Sequence, residues 1–448
     1  MEKVKEWLSS RKSSDKSTVI LLIKGYFFLT ILCFIFLVLP ICQNNGISII
    51  DHIFFSVSIV STTGLAPADF TGSYNFLGQI ISLFFIQLGG IGYMALSSFI
   101  ILKQSNKLPK LSARLLRLEF NLPQKYPLVS FIYSVFIFTL LIETIGAIVL
   151  YFGFKELGIE NPIWQAIFHS ISAFCTAGFS LFGDSMTSFS SHSMITTTIL
   201  VLSLLGSIGF IVLLDCWLRL TRKRKKITLT SKIIVFSTFV LWIVAAIAIY
   251  LSDIELRAMG WEGLKLAIFQ SISAHTTVGF NNYDLGLIDV SGIFVMIILM
   301  MIGASPAGTG GGIKTTSITA LIAVLITVLK RRNHITFFHK EIPASNVYLA
   351  VSSAIFYTFI IFIGTWAILM VDGKNFEFEK ILFEVTSALS TVGLSTGITG
   401  QLSDLSKLII SFLMFIGRLG VLTFGYAVIS QAPLLKLRDK PEIEDIAI

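Results

Sequence analysis

The sequence predicts an all-α membrane protein built from four fused helix–loop–helix units with pseudo-fourfold symmetry around one central axis. Three observations predict it. Hydrophobic residues make up 54% of the 448 residues and charged residues only 13%, against ~25% charge in soluble domains. Four times, a short apolar stretch ends in a small polar run, a glycine, and then Leu or Phe. Lys and Arg gather in alternate connections between the apolar stretches.

Residues 1–17 are polar and basic, and the apolar run 18–41 follows. That run is too long for a signal-peptide core and has no evident small-residue cleavage site, so it is taken as a retained first helix. Four units then cover 18–104, 127–219, 229–329 and 347–431. Basic connections separate them at 105–126 (Lys107, Lys110, Arg114, Arg117, Lys125), 220–228 (Arg222, Lys223, Arg224, Lys225, Lys226) and 330–346 (Lys330, Arg331, Arg332, Lys340). A tail spans 432–448, with Lys436, Arg438 and Lys440. The other connections carry no charge, as in 42–50, or mixed charge, as in Asp253, Glu255 and Arg257. This asymmetry places both termini and every basic connection in the cytoplasm.

Each unit divides the same way. Outward helices are expected near 18–41, 127–153, 229–252 and 347–371, and short segments near 51–62, 163–175, 264–276 and 380–391. Returning helices are expected near 75–103, 193–219, 291–329 (interrupted) and 407–431. A short segment spans about 18 Å, too little for a ~30 Å hydrocarbon core. It must be re-entrant, shielded by protein or a water-filled cavity. Eight transmembrane helices and four re-entrant ones return the chain to its starting side, in agreement with the charge asymmetry. The returning helices also begin alike, with Gly89-Gly90-Ile91-Gly92, Gly206-Ser207-Ile208-Gly209, Gly303-Ala304-Ser305-Pro306 and Gly417-Arg418-Leu419-Gly420. Small residues there let helices approach closely.

The repeated loops are the strongest signal. Gly64, Gly178, Gly279 and Gly393 recur at intervals of 114, 101 and 114 residues. One position earlier stand Thr63, Ala177, Val278 and Val392, and two positions earlier Thr62, Thr176, Thr277 and Thr391. Six positions earlier stand Ser58, Ser172, Ser273 and Ser387, and ten earlier Phe54, Phe168, Phe269 and Phe383. A fused fourfold pore would carry such a quartet. A dehydrated monovalent cation needs several oxygen ligands of modest field strength. Backbone carbonyls and Thr hydroxyls supply them, and aiming successive carbonyls inward requires φ > 0, which glycine tolerates. No carboxylate lies in the four polar runs, which disfavours a divalent-cation ring. Each short helix would add the partial negative charge of its C-terminal end.

Thr276-Thr277-Val278-Gly279-Phe280 resembles the potassium-channel filter signature. The four-unit layout over about 18–431 resembles the Trk/Ktr/HKT superfamily of potassium transporters, and most of all the membrane-spanning subunit of the bacterial Ktr system. The resemblance implies helix–pore loop–helix units, with Gly64, Gly178, Gly279 and Gly393 in one selectivity filter and K⁺ held by filter carbonyls only. Glycine in all four goes with potassium in that family and Ser in the first with sodium, so Gly64 implies potassium. The other three loops depart from the channel signature, so fewer well-formed ion sites are expected than in a true fourfold channel. The resemblance also implies a homodimer in the plasma membrane and a cytoplasmic ring of RCK-type subunits. The regulatory nucleotide would then bind that partner, since no nucleotide fingerprint occurs in this chain and no tightly bound cofactor is expected. Activation by Na⁺ is left open, and a sodium-permeable or cation-coupled transporter of the superfamily is the alternative.

In unit 3 the returning helix is interrupted by Gly303-Ala304-Ser305-Pro306-Ala307-Gly308-Thr309-Gly310-Gly311-Gly312-Ile313-Lys314. Neither flank alone spans the core, so the break falls at membrane depth and must line a cavity. It is not a phosphate loop, because Ile313 separates Gly312 from Lys314 and no strand precedes it. The resemblance implies a flexible gate here, with Lys314 as an inner contact. Arg418 lies inside an apolar helix, where a guanidinium must face a pore or pair internally; in the family, an Arg at this place lies beside the ion path and cooperates with the gate.

Of the remaining polar residues, Glu143 is taken as a hydrogen-bonded packing carboxylate, with a proton or cation site as the alternative. His169 and His275 are assigned to packing, because no second ligand has metal spacing. Glu384 and Asp184 are placed at the outer vestibule as solvated surface charges, with weak concentration of cations as the alternative. Cys33, Cys42, Cys175 and Cys216 lack Cys-x-x-Cys spacing and are expected to be reduced. The run 219–226 has no aromatic interleaving for nucleic acid and serves as a topology signal, with anionic membrane lipid as a further partner. No nucleophile–base or metal constellation indicates an enzyme.

Overall fold

In chain order, unit 1 consists of α1 (Ser14–Leu37), the short α2 (Ile49–Ser61) and a returning pair, α3 (Phe76–Ile91) and α4 (Tyr93–Ser105). A separate helix, α5 (Lys110–Glu119), leads to unit 2: α6 (Leu128–Glu156), α7 (Pro162–Phe174), α8 (Ser193–Ser207) and α9 (Phe210–Leu220). Unit 3 holds α10 (Leu229–Ser252), α11 (Trp261–Thr276), α12 (Val290–Met301) and α13 (Thr315–Leu329). A small antiparallel hairpin follows, β1 (Thr336–Phe337) and β2 (Lys340–Glu341), with Thr336 opposite Glu341. Unit 4 holds α14 (Ala344–Asp372), α15 (Phe378–Leu389), α16 (Asp404–Leu419) and α17 (Val421–Gln431). This is a computed structural model that describes residues 14–431, apart from 106, 121, 123–125, 225, 333 and 339. Most of the expected N-terminal segment and the tail 432–448 lie outside the described residues.

The helices α1, α6, α10 and α14 are each long and apolar enough to cross a bilayer. Their outer faces are bare hydrocarbon, as with Leu140 and Phe152 on α6, Ile243 and Val244 on α10, and Phe362 and Trp366 on α14. Lipid suits such faces, and helices satisfy the backbone groups that lipid cannot. The short helices start where caps favour them: Ser48 Oγ accepts from the Asp51 amide at 3.0 Å before α2, and Pro162 opens α7.

The expectation of continuous returning helices is corrected. The pairs α3–α4, α8–α9 and α16–α17 bend by 83°, 94° and 99°. The repeated small-residue sites mark these hinges, near the middle of each return, rather than helix starts. Gly92, Gly209 and Gly420 take φ of +86°, +90° and +83°, a region open to glycine and strained for other residues. Three residues earlier, Gly89, Gly206 and Gly417 press on the carbonyl oxygens of Val60, Phe174 and Leu389; an added Cβ would stand 2.2, 1.9 and 2.1 Å away. Each of those carbonyls lies four residues before its own loop glycine, so hinge and loop are in contact within units 1, 2 and 4.

Packing between units is cyclic. The short helices α2, α7, α11 and α15 lie against the returning helices α16, α3, α8 and α12 of the preceding unit, the fourth unit preceding the first. Phe54, Phe168, Phe269 and Phe383 are buried at this level. Lys407 on α16 reaches Asp51 on α2 at 2.8 Å and ties the last unit to the first.

Candidate functional site

The four loops share one backbone. Thr62, Thr176, Thr277 and Thr391 take φ of +53°, +51°, +58° and +51°, and Gly64, Gly178, Gly279 and Gly393 take +94°, +66°, +80° and +93°. A β-branched residue at positive φ is strained, and such conformations persist where surrounding structure imposes them. The serine six residues before each glycine supplies part of that constraint. Its carbonyl accepts from the amide preceding the glycine: Thr63 to Ser58 at 2.9 Å, Ala177 to Ser172 at 2.8 Å, Val278 to Ser273 at 3.2 Å, Val392 to Ser387 at 2.9 Å. The serine hydroxyls add a second tie. Ser58 and Ser387 accept from Gly64 and Gly393 amides at 3.1 Å, while Ser172 and Ser273 donate to Phe179 and Phe280 carbonyls. The repeat of serine was visible in the sequence, but its stapling role was not.

The loops meet in a closed ring. The place where a Cβ would stand on Gly64 is taken by the carbonyl oxygen of Ala177, at 2.4 Å. Likewise Gly178 abuts Val278 at 2.3 Å, Gly279 abuts Val392 at 2.1 Å, and Gly393 abuts Thr63 at 2.1 Å. Every contact is to the residue just before the next unit's glycine, and the fourth returns to the first. The hydroxyls of Thr62 and Thr391 are buried without a hydrogen-bond partner, leaving neutral oxygens beside the ring.

Residues 303–314 dock against this ring, bonding to units 2, 3 and 4. Ser305 and Thr309 amides donate to Ser207 and Gly206 carbonyls at 3.1 Å each, and the Phe210 amide donates back to Ala307 at 2.9 Å. Thr309 Oγ1 donates to Phe174 at 3.2 Å and accepts from Thr176 Oγ1 at 3.0 Å. The Gly311 amide donates to Thr277 Oγ1 at 3.3 Å. A side chain on Gly310 would strike Thr277 Oγ1, and one on Gly311 the Ser390 carbonyl. Inside the loop, Ala304 donates to Gly311 at 3.1 Å, Gly303 packs on Gly311 and Gly312, and Gly209 abuts the Pro306 carbonyl. Gly308 presses on the Ser207 carbonyl. Lys314 Nζ donates to Gly310 at 2.7 Å. The Arg418 guanidinium donates to the Thr309 carbonyl and to Gly89, with a longer bond to Gly90 at 3.3 Å. Arg418 therefore links unit 4 to the loop and to unit 1.

Sequence reasoning missed Glu119. It was counted within a basic connection, yet α5 carries its carboxylate inward, where Tyr26 donates to it at 3.0 Å. Burial pushes the Glu119 carboxyl up to about 7, opposed by the Tyr26 bond and by Arg418 nearby.

The other polar residues are accounted for locally. Glu143 accepts from Gln87 Nε2 at 3.0 and 3.1 Å, and Cys175 lies beside it. His169 bonds the Gln165 carbonyl and Ser180, and His275 Nδ1 accepts from Trp242 at 3.0 Å. The placement of Glu384 as a solvated vestibule charge is corrected: it is buried and accepts from Ser395 and Thr399. Asp184 binds the Ser188 amide at 2.8 Å in an exposed turn.

Comparison with known proteins agrees with this architecture. The chain is 31% identical to the Ktr system potassium uptake protein B of Vibrio alginolyticus, over 90% of this chain and 89% of that protein. It is 33% identical to the Ktr system potassium uptake protein D of Bacillus subtilis (91% and 92%) and 30% identical to the potassium/sodium uptake protein NtpJ of Enterococcus hirae (95% and 96%). The solved structure of the potassium transporter TrkH from Vibrio parahaemolyticus shares the fold, with a TM-score of 0.71 at 19% identity over 93% of this chain and 85% of that one. The profile of the TrkH cation transport proteins matches residues 45–433, and the chain belongs to that family.

Proposed function

We propose that this chain carries potassium into the cell across the plasma membrane, through a pore whose selectivity filter is the ring of Gly64, Gly178, Gly279 and Gly393. The observation that carries this reading is the cyclic contact of each glycine with the carbonyl of the next loop. Four loops with one backbone and a shared axis surround an ion with main-chain oxygens, and the unpartnered Thr62 and Thr391 hydroxyls add neutral ligands. An inside-negative potential favours entry by ~2.3 kcal/mol per charge per 100 mV.

The segment 303–314 acts as the gate. Its bonds to Thr176, Thr277 and Arg418 hold it across the path beneath the filter. Opening requires those few bonds to break, a change within reach of a regulatory chain. The names of the Ktr-system relatives support a partner subunit, which we assign to a cytoplasmic nucleotide-binding RCK ring acting on a homodimer of this chain. Both termini and the basic connections then face the cytoplasm. A second reading, sodium permeation, is favoured by the similarity to a potassium/sodium uptake protein.

Uptake in cells lacking their own potassium transporters, across K⁺ and Na⁺ concentrations and with and without the partner, tests the proposal. Growth rescue at low K⁺ is expected. Rescue that follows Na⁺ and ignores K⁺ would favour the second reading, and no cation uptake at all would overturn both.

A further inference from the structure

We propose that Glu119 is a positioning residue for Arg418: a carboxylate carried on α5, outside the spanning helices, held by the Tyr26 hydroxyl, that offsets the gate arginine's charge across the unit 1 hinge. The inference rests on the reading of residues 303–314 and Arg418 as a gate.

The geometry is a short polar chain. Arg418 donates to main-chain carbonyls of Thr309, Gly89 and Gly90, and among the described residues no carboxylate lies within ion-pair distance of it. Carbonyl dipoles alone compensate a half-buried guanidinium at membrane depth poorly. The Tyr26 hydroxyl donates to Glu119 Oε1 at 3.0 Å, Glu119 packs on Gly92, and Arg418 bonds the Gly89 and Gly90 carbonyls just before it, so the hinge brings cation and anion together. Tyr26 is held by edge-on contact with Tyr93, ring centroids 5.0 Å apart, and Tyr93 bonds the Leu22 carbonyl at 3.1 Å.

The notch that admits the carboxylate is the unit 1 hinge. An added Cβ on Gly92 would stand 2.9 Å from Glu119 Cδ. The equivalent notch at Gly209 is filled by the Pro306 carbonyl of the loop, while Gly420 has only Thr423 Oγ1 nearby, at 3.7 Å. Two of the three hinges are thus filled, one by the gate loop itself and one by Glu119. Neighbouring residues Leu115 and Leu116 are buried, which fixes α5 in place. Arg418 would otherwise present an uncompensated positive charge to an entering K⁺. With Glu119 ionised, the net field at that point is lower, and cation occupancy rises.

The groups around Glu119 are Tyr26 and, packed on it, Tyr93 from unit 1, with Arg418 of unit 4 across the hinge and Lys314 beyond it on the adjacent loop carbonyl. Purified protein in vesicles, with Rb⁺ uptake normalised to reconstituted protein, tests the idea. Glu119→Gln should lower the flux about tenfold, and Tyr26→Phe, which keeps the ring, should do the same. Neither substitution should change flux in an Arg418→Gln background. Wild-type flux should rise as the pH at the cytoplasmic face rises through about 7, a step that Glu119→Gln should lack and Lys314→Met should keep. Equal losses with and without Arg418, or an unchanged pH step, would overturn the proposal. Wild-type vesicles impermeable to Rb⁺ would instead defeat the transport reading itself.

Discussion

The α-carbon of Gly393 packs against the carbonyl oxygen of Thr63, and this contact closes the ring between the last unit and the first. A Cβ at position 393 would stand 2.1 Å from that oxygen, at a φ of +93°. No neighbour can yield without moving a main-chain carbonyl of the next loop.

Gly393→Ala is therefore expected to reduce K⁺ uptake by about 5- to 150-fold, from strain of about 1–3 kcal/mol placed directly on the ring. Rb⁺ uptake normalised to protein in the membrane measures it. Gly279→Ser should behave alike, since its Cβ would meet the Val392 carbonyl at 2.1 Å. Normal uptake in either variant would contradict the filter assignment.

Thr309→Val removes the donor to Phe174 and the acceptor for Thr176, which keeps its bond to Cys175 at 2.8 Å. Losing about 1 kcal/mol of loop docking should raise flux in the absence of the partner by roughly fivefold. Deleting 303–314 should raise it further or uncouple it from the partner. Gated flux unchanged by the deletion would refute the gate.

Arg418→Gln should free the loop without disturbing the ring. Hydrogen exchange reads both: the Ser305 and Thr309 amides, bonded to Ser207 and Gly206, should exchange faster. The Ala177 and Val392 amides, stapled to Ser172 and Ser387, should keep their protection. Uniform loss at all four would mean that Arg418 supports the whole fold.

Lys407→Met breaks a largely buried pair with Asp51 and leaves an uncompensated carboxylate at the seam of units 4 and 1. A loss of about 2 kcal/mol is expected, largely recovered when Asp51→Asn is added. Thermal unfolding in detergent decides it. A double variant no better than the single one would show the cost to be packing.

Much of this arrangement was legible in the sequence, because a fused repeat writes each contact four times. The short helices fall within three residues of the expected 51–62, 163–175, 264–276 and 380–391, since apolar runs too short to span have clear ends. The hinges were legible as glycines and not as bends: Gly92, Gly209 and Gly420 sit in apolar helical patterns, and only the structure shows the carboxylate packed on Gly92 and the carbonyl packed on Gly209. The left-handed Thr62, Thr176, Thr277 and Thr391 run against local preference and follow from the serine staples. Glu119 was hidden because a lone carboxylate among Arg114, Arg117 and Lys125 is averaged into a basic connection. Glu384 misled for the opposite reason, its partners Ser395 and Thr399 lying beyond the loop glycine.

The central claim is that four loop glycines frame one site for a dehydrated potassium-sized ion. Anomalous diffraction from crystals grown in Rb⁺ tests it most directly. A peak is expected on the axis inside the ring of Gly64, Gly178, Gly279 and Gly393, lost on exchange into Na⁺ alone. Rb⁺ located only outside the ring, or an empty ring at saturating Rb⁺, would contradict it.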